Sequence, residues 1–373
     1  MAKLSLPELK ALVSSLVTKA KISNSSFVET RDNVVGLLDK IGKIVTVDSV
    51  YSIDKLNKFD GEYLSYGKTV EEWQQDLILP TAYDATGAGA LSPADPTYRP
   101  VFYSYSVGRE KIKTTIRNDN IERAVHFEEQ FVSIVAMQYK RLDDSMAQYR
   151  YALKKEMIAR LIEICEDEQG ATSVYATSTA YDVNTCLKAG ANSNVRGIVV
   201  KAIAATNSLT WANAVAGGYI VELDLITEIA KPTTAETGEA FIEQVKNDIE
   251  IASDVSEGHS LNGNTLGAIE GLTLILKQGV MAPLEVQTMA GAFHDDKLAM
   301  PCDILVVNGF GSADSDYFAV LIDNRGMRLH NTYDATRENF NGDGDFLNVF
   351  RHTENTAYIS RNSFVKVYKA PSV

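Results

Sequence analysis

A helix of unusual length, a two-residue alternation just ahead of it and a mixed, turn-rich stretch behind it predict an α+β chain. The helix is expected from Asn120 to Gln169. No Gly or Pro occurs between Arg109 and Gln169, and Val135, Tyr139, Leu142, Met146, Tyr149, Leu153, Met157, Leu161 and Ile164 recur at steps of three and four. Asn118-Asp119-Asn120, with Asp119 and Glu122 at capping-box spacing, marks the start, and Gly170 marks the end. Such a helix would run roughly 70 Å, whereas a compact chain of 373 residues fills a sphere about 55 Å across. Either the molecule is elongated around a spine, or the helix breaks near Asp143-Asp144-Ser145, its poorest helix formers. The flanks favour elongation.

The first fifty residues hold two short apolar stripes at helical spacing. One is Leu4, Leu9, Leu12, Val13, Leu16 and Val17, and the other is Val34, Val35, Leu37, Leu38 and Ile41, with the polar link Ser23-Asn24-Ser25-Ser26 between them. Lys3, Lys10, Lys19 and Lys21 against Glu8 make this beginning locally basic, which fits a solvated helix face or an electrostatic arm. From Thr69 to Arg117 the period falls to two. Trp73, Gln75, Leu77 and Leu79 alternate with polar neighbours and Ile78, and Tyr103, Tyr105 and Val107 alternate with serines. Thr86-Gly87-Ala88-Gly89-Ala90 and Ser92-Pro93-Ala94-Asp95-Pro96 form a broad turn between them, so a long antiparallel ribbon is expected. A two-stranded ribbon is marginal alone in water, and no surface within the chain is an obvious support for it. After Gly170, small and β-branched residues run to Ala191. Helical stretches are expected near Val195 to Asn207 and Thr237 to Ala252, and strands at Leu272 to Leu276, Ile304 to Val307, Phe318 to Ile322 and within Phe346 to Tyr368.

Composition narrows the function. With 45% hydrophobic residues the chain can bury a sizeable core, yet no run approaches the roughly 18 apolar residues of a membrane span. The formal charge of −13 argues against a surface that grips nucleic acid, and confines any DNA contact to weak or local binding. Cys165, Cys186 and Cys302 lie far apart with no CxxC pair, and read as reduced core thiols. Enzyme signatures fail one by one. Gly36 to Lys43 misses phosphate-loop spacing, and Ile44 stands where Ser or Thr is needed. Gly87-Ala88-Gly89 lacks the third glycine of a dinucleotide loop. Ser52-Ile53-Asp54-Lys55 matches Ser-x-x-Lys without its companion motifs. Asn341-Gly342-Asp343-Gly344-Asp345 starts like a calcium loop, but Phe346 occupies the glycine position and His352 the bidentate glutamate position, so a turn between strands is expected. His294-Asp295-Asp296 is the only local cluster with possible acid–base or metal chemistry, and a solvated loop is its simpler reading. No catalytic, cofactor-binding or metal residue is assigned.

The order of elements, namely arm, ribbon, long helix, compact domain and returning strands, resembles the major capsid protein of tailed bacteriophages with the Hong Kong 97-type fold. Wording similar to small podovirus-like major head proteins occurs at Glu71-Glu72-Trp73-Gln74-Gln75-Asp76-Leu77-Ile78-Leu79-Pro80, Ile112-Lys113-Thr114-Thr115-Ile116-Arg117, Gly291-Ala292-Phe293-His294, Val320-Leu321-Ile322-Asp323-Asn324-Arg325-Gly326 and Gly342 to Phe346 through Tyr358-Ile359-Ser360. The resemblance implies a division into an N-terminal arm (1–50), an extended E-loop hairpin (51–117), a P-domain spine helix (118–172), an A-domain (173–326) and C-terminal P-domain strands (327–373). It implies hexamers and pentamers of many copies closing an icosahedral or prolate head around double-stranded DNA, held by weak contact only, with a portal and no membrane. Some relatives lead with a scaffolding segment, and here the ribbon starts too early to leave room for one, so a separate scaffolding protein, or none, is implied. Assembly would take place in the host bacterial cytoplasm and the product would be the virion capsid. Trp73, Leu77, Tyr98, Arg99, Phe102, Tyr103 and Tyr105 are the implied intersubunit contacts. An encapsulin-like compartment shell and a coiled-coil tail or adhesion component are the alternatives.

Overall fold

A computed structural model describes residues 54–65, 67, 69–75, 77, 78, 80, 83, 85–87, 98–103, 105–117, 128–169, 173–284, 301–313 and 315–371. The chain divides into residues 1–50 and 51–373. The expected arm helices, the helix start at Asn118–Asn120, the ribbon tip, the Gly36–Lys43 stretch and His294-Asp295-Asp296 lie outside the described residues.

In chain order the described elements are β1 (Asp60–Tyr63), β2 (Val70–Gln75), β3 (Tyr98–Tyr103), β4 (Tyr105–Arg117), α1 (Glu128–Gln169), β5 (Cys186–Lys188) and β6 (Arg196–Val199). They continue with α2 (Trp211–Ala216), β7 (Ile220–Glu222), β8 (Ile226–Glu228), α3 (Ala235–Ala252), β9 (Leu272–Lys277), β10 (Asp303–Val307), β11 (Tyr317–Asp323), β12 (Met327–Asn341), β13 (Phe346–Ile359) and β14 (Val365–Lys369). Single helical turns at Asn57–Phe59 and Met281–Pro283 complete the set.

The long helix is unbroken for 42 residues. Asp143-Asp144-Ser145 does not interrupt it. Poor propensity costs a few tenths of a kcal/mol per residue, which a helix anchored on both sides absorbs. Ser145 Oγ donates to the Arg141 carbonyl one turn back (2.7 Å), and Arg351 approaches Asp143 at 3.9 Å.

Two sheets pack against α1. The five-stranded sheet, ordered β10-β9-β11-β14-β8, is covered on both faces. Ile275, Val320, Ile322, Val365 and Val367 meet Met157, Ile158, Leu161 and Ile162 of α1. The alternate residues Leu274, Leu276, Ala319 and Leu321 meet Phe241, Ile242 and Val245 of α3. Double coverage explains why β11 reads as the unbroken apolar run Phe318-Ala319-Val320-Leu321-Ile322, with no alternation. Burying such side chains contributes roughly 1.5–3 kcal/mol each, so this is where the fold concentrates its stability. α3 begins at a capping box in which Thr234 and Thr237 satisfy each other's backbone N–H groups.

The four-stranded sheet, ordered β1-β12-β13-β4, joins that core at its root through Met327, Leu329, Ala357 and Ile359, and farther out meets the earlier part of α1 through a smaller cluster of Ile116, Leu142 and Val349. β12 and β13 form a long hairpin whose register runs from Met327 opposite Ile359 to Asn341 opposite Phe346. Its turn is the acidic stretch Asn341–Asp345. Asn341 Oδ1 accepts from the backbone of Asp343 and Gly344, so the would-be calcium ligand closes an Asx turn. At the root of the sheet Lys154 of α1 is fully buried and pairs with Asp54 (2.5 Å) and Asp60 (2.7 Å), tying the segment before β1 to the helix.

Three expectations are corrected. The stretch Val195 to Asn207 is not helical: Arg196–Val199 is a strand of a small sheet, β5-β6-β7. A short apolar run such as Ile198-Val199-Val200 carries no period, and Gly197 is needed where β6 and β7 approach, since a Cβ there would sit 2.6 Å from the Ile220 side chain. The first ribbon strand, β2, ends at Gln75 with Leu77 and Ile78 outside it, and its partner is β3 rather than the Tyr103–Val107 alternation. That alternation opens β4, which pairs with β13. Val365–Lys369, assigned by sequence to the returning strands, lies beside β11 inside the five-stranded sheet, where its apolar residues are buried on both faces.

Candidate assembly surface

The ribbon is a six-pair antiparallel ladder. Val70 lies opposite Tyr103, Glu71 opposite Phe102, Trp73 opposite Pro100, Gln74 opposite Arg99 and Gln75 opposite Tyr98. Tyr98, Arg99, Phe102 and Tyr103 therefore share the ribbon with Trp73. Tyr105 does not join them, since it opposes Ala357 in the four-stranded sheet.

Alternation along β2 gives its residues two fates. Glu72 Oε1 accepts from Ser360 Oγ (2.7 Å), and Gln74 Oε1 accepts from Asn264 Nδ2 (2.6 Å). The base of the ribbon thus rests on two loops of its own chain, which corrects the expectation that nothing within the chain supports it. Asn264 is buried and donates also to Asn362 Oδ1, so the loops are cross-tied before they receive the ribbon. Gly258, at φ 80°, allows the same loop region to pass the β7 end, because a Cβ there would lie 2.1 Å from the Glu222 carbonyl oxygen. No sequence signal marks Asn264, Ser360 or Asn362. Asn264 lies nearly a hundred positions before Ser360 and Asn362, and only the fold brings it to them.

On the other side Trp73 is 61% exposed, and beyond the ladder Leu77 is 65%, Ile78 77% and Tyr83 94% exposed. Large apolar groups in sequence on one exposed segment are the mark of a surface meant for another protein. Beneath the ribbon lies an open cleft of about 470 Å³ lined by Glu72, Trp73, Leu266, Asp323, Arg325, Tyr358 and Asn362. Within it Arg325 pairs with Asp323 (3.0 Å). Burial, reinforced by the Glu72 charge, pushes the Tyr358 hydroxyl up to about 12, so it stays protonated. Elsewhere burial raises the Cys302 thiol to about 11, away from thiolate reactivity. Among the described residues no three His, Cys, Asp or Glu side chains converge as a metal site.

Compared with known proteins, residues 7–365 match the family model of the Phi29-like phage major capsid protein. The chain belongs to that family. No curated protein sequence matches it. Solved structures match in fold at low identity. The capsid of Staphylococcus phage Andhra shares 10% identity over 88% of this chain and 89% of its own, with a TM-score of 0.54. The capsid of the cyanophage P-SCSP1u shares 9% over 90% and 95%, with a TM-score of 0.55. A chain in a structure of native bacteriophage P68 shares 11% over 88% of each chain, with a TM-score of 0.56. The resemblance to tailed-phage major capsid proteins is thereby met across nearly the whole chain, and the protein forms phage capsid shells. The compartment-shell and coiled-coil alternatives are not favoured.

Proposed function

We propose that this major capsid protein closes its shell by laying the ribbon of each copy on a neighbouring copy, with Trp73 and Leu77 as anchors and Tyr98, Arg99, Phe102 and Tyr103 beside them. In this reading residues 51–117 are the E-loop, α1 is the P-domain spine helix, residues 173–326 form the A-domain, and β12 and β13 return to the P-domain. β14 goes with the A-domain sheet. Residues 1–50 act as an arm. Hexamers and pentamers assemble in the host cytoplasm with a separate scaffolding protein and a portal, and enclose double-stranded DNA with weak contact.

The observation that supports this reading is the contrast along the ribbon. Its base is fixed to its own chain by Glu72 and Gln74, while Trp73, Leu77, Ile78 and Tyr83 stay open to solvent. Aromatic anchors dominate many interfaces, with truncation costing on the order of 2 kcal/mol or more. Trp73→Ala is therefore expected to leave the monomer's thermal unfolding by circular dichroism unchanged. Sedimentation velocity and negative-stain microscopy, with a candidate scaffold present, should show at least several-fold fewer closed shells. Unchanged shell yield, or an unfolded monomer, would remove the ribbon from its proposed role.

A further inference from the structure

The four-stranded sheet ends in two edge strands, β1 and β4. The edge at β1 is four residues long, whereas β4 runs for 13. β13 pairs with β4 on one side from Ala357 opposite Tyr105 to Phe346 opposite Arg117, and among the described residues no strand lies along its other side. An edge of that length is a template for a further strand, which a chain must either blunt or use.

Strand register fixes which side chains share a face. Ile112 and Ile116 of β4 and Val349 of β13 face α1, where Ile116 and Val349 cluster with Leu142. Lys111, Lys113, Thr115 and Arg117 alternate with them and point outward, and all four are exposed. Phe350 and His352 of β13 and Arg337 of β12 share that outer face. Lys113 Nζ stands 5.5 Å from the Phe350 ring centroid, the Phe350 and His352 rings stack at 6.2 Å, and Arg337 opposes Phe350. Among the described residues Lys111, Lys113 and Arg117 make no ion pair. The open edge therefore presents cations at even spacings on one face, Lys111 and Lys113 being roughly 6.8 Å apart along the strand. On a chain of net charge −13 this is a local inversion of the overall field, which steers an acidic segment toward the edge.

The pattern excludes one occupant and specifies another. Two copies of β4 pairing antiparallel in one continuous sheet would keep their outer faces on the same side. Every register centred between Lys111 and Thr115 then sets two of the cations Lys111, Lys113 and Arg117 directly opposite each other, which destabilises the ladder. This edge does not close on itself. A strand with Asp or Glu at alternate positions meets the reverse condition, since each carboxylate falls opposite a cation while its backbone supplies the ladder bonds. Among the described strands none carries Asp or Glu at three successive alternate positions, so such a strand comes from elsewhere. We propose that the outer edge of β4 takes an extended acidic segment of a separate protein as an added strand, with Lys111, Lys113 and Arg117 beside its carboxylates. Strand addition here does not depend on where the ribbon lies.

Two labelled peptides of equal length and composition test it, one with Glu and Thr alternating and the other with all its Glu ahead of all its Thr. Their binding to the full, unassembled chain is read by fluorescence anisotropy at low salt. The alternating peptide is expected to bind about tenfold tighter, because only it matches both the ladder and the cations. Methylating its backbone amides on the side that faces β4 leaves the charge intact and should abolish binding. Lys111→Glu with Lys113→Glu should weaken the alternating peptide about tenfold or more and favour the same peptide with Lys in place of Glu. Folding is checked by circular dichroism, and Lys111→Gln with Lys113→Gln, expected to bind several-fold more weakly, serves if the reversal misfolds. Equal binding of the two peptides, indifference to amide methylation, or no binding overturns the strand addition. A labelled oligonucleotide that outcompetes the alternating peptide, and loses its own binding in the reversed variant, also overturns it and gives the edge to nucleic acid.

Discussion

The two large sheets share one helix and use it differently. The five-stranded sheet is sealed between α1 and α3, whereas the four-stranded sheet is covered by α1 on one face and, among the described residues, exposes Lys111, Lys113, Arg117 and Arg337 on the other. Buried packing is thus concentrated at one sheet of a single chain. The sealed sheet can tolerate little change in volume. The open one can be altered at Lys111, Lys113, Arg117 and Arg337 on its outer face without unfolding, because those side chains are exposed.

Substitutions on each sheet should separate these roles. The largest effect is expected for Phe241→Ala, which removes a fully buried ring packed 5.4 Å from Phe318 and 5.3 Å from Tyr368. The loss should be about 3–5 kcal/mol by denaturant unfolding, a large fraction of a domain's usual stability. Next comes the Lys154 cluster. Removing both carboxylates in Asp54→Ala with Asp60→Ala strands a buried ammonium and should cost about 3 kcal/mol. Lys154→Met should cost clearly less, since Asp54 and Asp60 are partly exposed and can be solvated. The reverse order in unfolding experiments would mean that the cation, and not its pairing, holds the segment. Leu142→Ala, in the small cluster of the four-stranded sheet, should cost about 2 kcal/mol, the low end for a buried leucine, because few side chains surround it. A cost matching Phe241→Ala would erase the distinction between the sheets.

The same division governs what was legible in the sequence. Strands buried on both faces, such as Leu272–Leu276 and Phe318–Ile322, read directly as apolar runs between turns. α1 read directly because an interval without Gly or Pro was combined with helical spacing, and only its tolerance of Asp143-Asp144-Ser145 needed the structure. β6 was misread because three or four apolar residues fit a helix or a strand equally. The ribbon's existence was legible and its pairing was not: β3 and β4 are nearly continuous in sequence, and only register shows that one pairs with β2 and the other with β13. Exposed Trp73 and Leu77 could be chosen from sequence as large apolar residues on a segment without a core. The anchors Ser360 and Asn264 could not, because a lone Ser or Asn in a loop carries no pattern. The basic face was hidden for a related reason. Its charges come from β4, β12 and β13, more than two hundred residues apart, and a net acidic composition averages them away.

The smallest expected effect concerns the rim of the sealed sheet. His259 is buried beside Phe364, with Nδ1 3.2 Å from the Asp224 carbonyl oxygen. Burial lowers its pKa below the usual 6.5, and the nearby Lys366 ammonium lowers it further, while Asp224 and Asp248 pull the other way. A base with a depressed folded pKa contributes stability that is fully present above the unfolded pKa and is lost as pH falls through the folded one. The neutral ring is what the site holds, so acidification below 6.5 should weaken this part of the fold. His259→Gln cannot titrate, and its stability difference from the unaltered chain should shrink as pH is lowered from 7 toward 5. Denaturant midpoints measured across that range read the difference directly. A difference that stays constant with pH would mean that His259 is held by shape alone, and that the sealed sheet is as indifferent to protons at its rim as in its centre.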